Sequence, residues 1–352
     1  MPRLLTLSLS LILLIGSTVS AAADSPQALQ LEGDVQYTHD PSIIKDGDTW
    51  YLFGTNNGPE RTGELPIRCS QDLHHWKRCG YVFSKIPDWI KKASPETKEL
   101  WAPDPSYFNG EFHIYYAFSA FGKNTSGIAL VTNKTLDPKS PDFQWIDRGL
   151  VFRSRLEDDF NAIDPNIVFD DQGRGWLSFG SFWSGIKMRR IDPKTGLLAS
   201  EDTKLYSLAN RKRPANPPPN PPGLPGDWQA VEAPFVVHHQ DYYYLFVSWD
   251  LCCRGTKSNY KTMIGRSRNV TGPYVDEKGI PMMEGGGTPL LVGNKRWIGP
   301  GGESILQQKD GDIMVYHAYD GKTGQAWLQI STISWQDGWP HVALEGGDGA
   351  SQ

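Results

Sequence analysis

The amino-acid sequence predicts an all-β fold, a five-bladed β-propeller built as a single domain, and three observations carry that expectation. A carboxylate recurs five times, each time at the mouth of a short apolar strand. The segments are His39-Asp40-Pro41-Ser42-Ile43-Ile44, Trp101-Ala102-Pro103-Asp104-Pro105-Ser106-Tyr107, Ile163-Asp164-Pro165-Asn166-Ile167-Val168, Val231-Glu232-Ala233-Pro234-Phe235-Val236 and Pro300-Gly301-Gly302-Glu303-Ser304-Ile305. The acids at 40, 104, 164, 232 and 303 stand 64, 60, 68 and 71 residues apart. After each comes a polar turn and a second aromatic or β-branched run, as in Trp50-Tyr51-Leu52-Phe53 and Tyr242-Tyr243-Tyr244-Leu245-Phe246. A period this long, with strands inside each unit, is the signature of propeller blades. Long amphipathic helices are absent, and only Ile86 to Lys98 reads as a helical turn or two.

From the N-terminus, Met1-Pro2-Arg3 gives a positive start, Leu4 to Ile15 an apolar run, and Ser17 to Ala23 small residues. This is the pattern of a secretory leader over residues 1–23, cleaved after Ala21 or Ala23. Its apolar core is too short to span a bilayer, and no later stretch is long and apolar enough for a transmembrane helix. The propeller is then expected over residues 24–352. Asp46-Gly47-Asp48, Asn109-Gly110, Asp171-Gln172-Gly173 and Asp310-Gly311-Asp312 separate first from second strands as hairpin turns do. One stretch breaks the pattern: 214–225 is proline-rich. It blocks both helix and ladder hydrogen bonding, so it reads as a surface loop between the third and fourth units.

A formal charge of −5 and a pI near 5.9 exclude a nucleic-acid partner, whose phosphates require a basic face. A neutral polymer fits that balance. Thirteen tryptophans supply flat rings, mostly for packing between blades, with some left to line a sugar-binding cleft. The four cysteines of an exported chain suggest disulfides. Cys69 and Cys79 flank a hairpin-like excursion. Cys252 and Cys253 are adjacent, at a Cα spacing of about 3.8 Å that is shorter than the usual disulfide span, yet a vicinal bridge is preferred to cross-linking with the first pair. Asn124, Asn133 and Asn269 open glycosylation triplets.

Converging strand starts bring acids to one mouth. Glycosidic hydrolysis needs two carboxyl groups in different protonation states. Glu232, between Val231 and Ala233-Pro234-Phe235, sits among residues that would desolvate it and raise its pKa, which makes it the candidate general acid. Asp40 is the candidate base. Asp164 nearby would raise the acid's pKa further by like-charge repulsion. Asp104 and Glu303 are expected to be structural.

These residues resemble glycoside hydrolase family 43, and within it the extracellular endo-1,5-α-L-arabinanases. The motifs that carry the resemblance are His39-Asp40-Pro41-Ser42, Leu100-Trp101-Ala102-Pro103-Asp104, Phe121-Gly122-Lys123-Asn124-Thr125-Ser126, Ile163-Asp164-Pro165-Asn166, Gly180-Ser181-Phe182-Trp183, Val231-Glu232-Ala233-Pro234, Gly285-Gly286-Gly287-Thr288 and Val315-Tyr316-His317-Ala318-Tyr319. The resemblance implies a five-bladed propeller, inversion at the anomeric carbon, and the same three roles for Asp40, Glu232 and Asp164. It further implies sugar contacts from Trp101, Phe121, Asn166 and Ser181. It also implies a hydrated, calcium-like ion near His317, held through water and structural, with no cofactor required for the chemistry. The expected substrate is arabinan from pectin, cut by a secreted monomer. One departure is visible: Gly299-Pro300-Gly301-Gly302-Glu303 stands where many relatives carry a histidine after the Gly-Pro-Gly. Two rivals remain open at this point. One is an exo-acting α-L-arabinofuranosidase or β-xylosidase on the same scaffold; the other is a propeller lectin that binds sugar without cutting, which the three intact acids argue against.

Overall fold

The computed structural model describes residues 25–59, 62–211 and 230–346. The expected leader and the proline-rich loop lie outside the described residues. Five antiparallel sheets follow one another along the chain. Blade 1 starts with the strands Thr38–Asp46 and Thr49–Asn56, blade 2 with Leu100–Phe108 and Glu111–Phe118, and blade 3 with Asn166–Phe169 and Gly175–Phe179. Blade 4 starts with Val231–His239 and Tyr242–Trp249, and blade 5 with Trp297–Leu306 and Ile313–Asp320. The turns expected between first and second strands fall between these pairs. The helix foreseen near residue 90 is a short one, Asp88–Ala93.

Blade 5 contributes only three strands to its own sheet. The N-terminal segment completes it: Leu29 N–H donates to Ile330 O, Leu328 N–H to Val35 O, and Thr332 N–H to Gln27 O. The same segment pairs in parallel with blade 1 through Glu32–Gly33 against His75–Trp76. This segment thus joins blade 5 to blade 1, which closes the ring and leaves fewer open sheet edges.

Side-chain alternation along the second strands explains why the blades stack. Successive residues of a strand point to opposite faces. In Glu111–Phe118, Ile114 and Tyr116 join a cluster with Phe53 and Ile67 of blade 1, whereas Tyr115 joins one with Leu177 and Phe179 of blade 3. Leu245 likewise faces Met188 of blade 3, and Phe246 faces Met314 of blade 5. Five such seams, the last joining Leu52 to Val315 and Leu328, form the core. Each fully buried Phe or Leu in them contributes roughly 1.5–3 kcal/mol over exposure. Trp76, Trp176 and Trp339 are buried in seams, the role expected for most of the tryptophans.

Both disulfides are present. Cys69–Cys79 joins the third and fourth strands of blade 1, with Cα atoms 5.9 Å apart. Cys252–Cys253 is vicinal, with Cα atoms 3.8 Å apart across a trans peptide. Of the three glycosylation triplets, Asn124 and Asn133 are buried, and Asn124 spends its amide on the carbonyls of Arg155 and Asp158; Asn269 is exposed.

Candidate active site

The inner strands share a local irregularity that aims their side chains. The register slips by one residue between His39 and Ser42, between Trp101 and Asp104, between Glu232 and Phe235, and between Gly301 and Ser304. In each slip, and at the matching place before Asn166, one residue adopts positive φ: Asp40, Ala102, Asp164, Ala233 and Gly302. Their spacings of 62, 62, 69 and 69 residues are more regular than those of the acids. A bulge residue turned out of the ladder needs no cross-strand N–H bond, so a proline is tolerated beside it. Pro41, Pro103, Pro165 and Pro234 occupy that place.

The acids therefore do not share one register position. Asp40 and Asp164 are themselves the positive-φ residues, and Glu232 precedes its own by one. Glu303 follows Gly302 by one, and Asp104 follows Ala102 by two. This offset sorts them by depth. Asp40, Asp164 and Glu232, from blades 1, 3 and 4, line one cavity of about 750 Å³. Asp104 lies deeper, where its carboxylate accepts from Ile167 N–H at 2.9 Å and from Ser42 and Asn166 at 3.4 Å. Glu303 accepts from Ser248 at 2.9 Å and Thr262 at 3.2 Å.

Asp40 is held on every side. Its Oδ1 lies 2.9 Å from His39 Nδ1, its Oδ2 accepts from the Thr55 hydroxyl at 2.7 Å, and its N–H donates to His317 Nδ1 at 3.3 Å. Burial alone would raise its pKa, but His39, together with His317 and the Thr55 hydroxyl, outweighs burial and brings it down to about 2. Reciprocally, burial would depress the His39 imidazole, but Asp40 holds it well above its usual value. The carboxylate at the bulge is thus ionised over the working range of most hydrolases. Gly302 is required here: with φ of +60°, an added Cβ would come within 2.8 Å of His317 Nδ1 and 2.9 Å of Asp40 Oδ1.

Glu232 is buried, and both its oxygens accept short bonds at 2.6 Å, Oε2 from Ser181 and Oε1 from Tyr260. Burial raises its pKa against those two donors. Asp164 accepts one backbone bond, from Ala233 N–H at 3.1 Å, and its pKa is raised by burial and by the charges of Glu232 and Asp40. Burial raises both carboxyls, the charge of Asp40 raises both further, and the charge of Glu232 adds to the rise at Asp164.

The expected sugar contacts separate. Trp101 lines the cavity, and Phe121, 71% exposed, stands beside it. Ser181 also lines the cavity, but its hydroxyl is committed to Glu232. Asn166 is a correction. It is 1% exposed, and its amide bonds Asp104 and Val236 N–H, so it ties blades 2, 3 and 4 below the cavity and does not face a ligand. Sequence reasoning missed Tyr260 and Thr55, the hydroxyl partners of Glu232 and Asp40. Tyr260 and Thr55 belong to strands or loops without an acid, so only the fold brings them to Glu232 and Asp40.

His317 is fully buried, and burial with the adjacent His39 lowers its pKa well below the usual value. Accepting at Nδ1, the neutral ring carries its proton on Nε2, which is buried without a partner among the described residues. An Nε2–H suits a water, not a cation, and calcium takes oxygen ligands. The residue therefore fits a hydrated ion met through water.

Three comparisons bear on this geometry. The family described as glycosyl hydrolases family 43 matches residues 35–340. The chain belongs to glycosyl hydrolases family 43. This family 43 glycoside hydrolase is 43% identical over 312 residues to the extracellular exo-alpha-(1->5)-L-arabinofuranosidase ArbA of Cellvibrio japonicus, covering 86% of each chain. It is 41% identical over 304 residues, again 86% of each chain, to the extracellular endo-alpha-(1->5)-L-arabinanase 1 of Bacillus subtilis. Its fold is similar to that of the Cellvibrio cellulosa alpha-L-arabinanase solved with arabinohexaose, with a TM-score of 0.80 and 40% identity over 88% of this chain and 96% of that one.

Proposed function

We propose that this family 43 hydrolase is secreted and cleaves internal α-1,5-L-arabinofuranosidic linkages of arabinan, the pectic side chain, with inversion. The observation that carries the reading is the meeting of Asp40, Asp164 and Glu232, from three blades, in one cavity. Ionised Asp40 takes the proton of a water as that water attacks the anomeric carbon. Glu232 gives its proton to the leaving oxygen. The hydroxyls of Ser181 and Tyr260 can donate to its carboxylate or accept from its acid form, so they hold it in place through both states. Asp164 keeps Glu232 protonated by like charge. A hydrated calcium ion, held through water by His317, would supply positive charge and take no part in proton transfer.

Linear α-1,5-arabinan incubated with the purified protein tests the reading. Short oligomers in the first minutes, with the β-anomer appearing first by proton NMR, are the expected result. Arabinose alone from the outset would establish the second reading, exo action, which the 43% identical exo-acting relative favours. An α-anomer released first would overturn inversion, and no reducing sugar from any glycan would leave a lectin.

A further inference from the structure

The Cys252–Cys253 disulfide has no part in the chemistry above, yet both residues line the active-site cavity. Cys253 is exposed and Cys252 partly so, with free space of the cavity beside them. The Cys253 sulfur lies 3.7 Å from His39 Nε2, one residue from Asp40. It therefore borders the place where the attacked sugar must sit.

The loop that carries it is fixed at nearly every residue. Asp250 N–H donates to Ala230 O, and Asn259 N–H to Leu251 O. Leu251 N–H donates to Asn259 Oδ1 at 3.0 Å, Cys253 N–H to the Tyr319 hydroxyl at 2.7 Å, and Arg254 N–H to Ser258 Oγ at 3.1 Å. Leu251 is buried against Ala230 and Phe182. Two bonded sulfurs carry no thiol proton and make only weak hydrogen bonds, but they are polarisable and have no rotamer freedom left to lose. Such a surface gains by dispersion from the C–H face of a furanose ring and gives up little ordering entropy in doing so. Arg254, exposed at the same edge, offers donors to ring hydroxyls.

We propose that the Cys252–Cys253 disulfide is a sugar-binding platform, the blade-4 counterpart of Trp101 and Phe121 on blade 2, and that it takes one arabinofuranose ring of the bound chain. The substrate class rests on the arabinan reading. Calorimetric titration of Glu232→Gln with linear α-1,5-arabino-oligosaccharides of three to six units reads binding without turnover. Adding Cys252→Ser and Cys253→Ser to Glu232→Gln raises Kd about tenfold for the chains that reach the platform; an unchanged Kd across the series overturns the proposal alone. A protein with intact cysteines gives a second reading that does not depend on the serine pair folding. Saturating oligosaccharide slows phosphine reduction of Cys252–Cys253, mapped by alkylation and mass spectrometry, and leaves Cys69–Cys79 unaffected. Equal rates with and without sugar overturn the proposal. Failure of Glu232→Gln to bind any of the oligosaccharides overturns it together with the arabinan reading.

Discussion

Two sets of acids arise from the same repeat and do different things. Asp40, Asp164 and Glu232 stand at or just before the positive-φ bulge and reach the cavity. Asp104 and Glu303 stand one or two residues past it and are 4% and 5% exposed; Asp104 bonds neighbouring blades through both oxygens and Glu303 through Oε2 alone. A shift of a residue or two along an inner strand thus separates an acid available to a substrate from one that links blades. The comparison teaches that, in this fold, register relative to the bulge matters more than the presence of an acid.

The largest effect should come from the upper set. Glu232→Gln keeps the shape and the acceptor for one hydroxyl but removes the proton that the proposed mechanism gives to the leaving oxygen. Turnover of arabinan should fall by roughly 10²–10⁴-fold or more. An aryl arabinofuranoside whose leaving group needs no proton should lose far less, and equal losses on both would remove the acid assignment. Asp40→Ala should cost at least about 10²–10⁴-fold on both substrates alike, because water activation is needed whatever the leaving group. A selective loss would move the base elsewhere.

Asp164→Asn should act more mildly and through pH. Removing a like charge beside Glu232 lowers the pKa of the acid, so the alkaline limb of the kcat/KM profile moves to lower pH. An unmoved limb would reduce Asp164 to holding the Ala233 backbone.

Much of this was legible in the sequence, and the limits are physical. The blade count, the hairpin turns and the acids at 40, 164 and 232 follow from strand-like runs punctuated by turns. The regular feature, however, is the bulge, and the acids mark it only approximately; what recurs at 62 and 69 residues is a backbone conformation. Proline beside Asp40, Ala102, Asp164 and Ala233 was its visible trace. Asn166 misled because its motif neighbours Asp164, yet two residues along a strand is a different depth. Tyr260 stayed hidden because its bond to Glu232 spans two strands and depends on Gly301, where an added Cβ would come within 2.5 Å of the Tyr260 ring. Local sequence carries strand identity well; contacts across the ring depend on closure.

The smallest effect on turnover is expected in the lower set, and it should appear in stability. Burial raises Asp104 and Glu303 to about 7, against roughly 4 in an unfolded chain. Between those values the folded protein keeps protons that the unfolded chain has released. The stabilisation from this pair is therefore full below about pH 4, falls as pH rises through 7, and is flat beyond. Asp104→Asn cannot titrate. It should cost about 1–3 kcal/mol through disturbed bonds to Ser42 and Asn166, keep most of the activity, and flatten the decline of Tm between pH 5 and 8. Calorimetry across that range decides the matter. A decline as steep as in the parent protein would mean that Asp104 is ionised in the folded state, with Ile167 N–H and the two side-chain donors outweighing burial. A large loss of turnover would instead place it with Asp40 and Glu232, and the division by depth would fail.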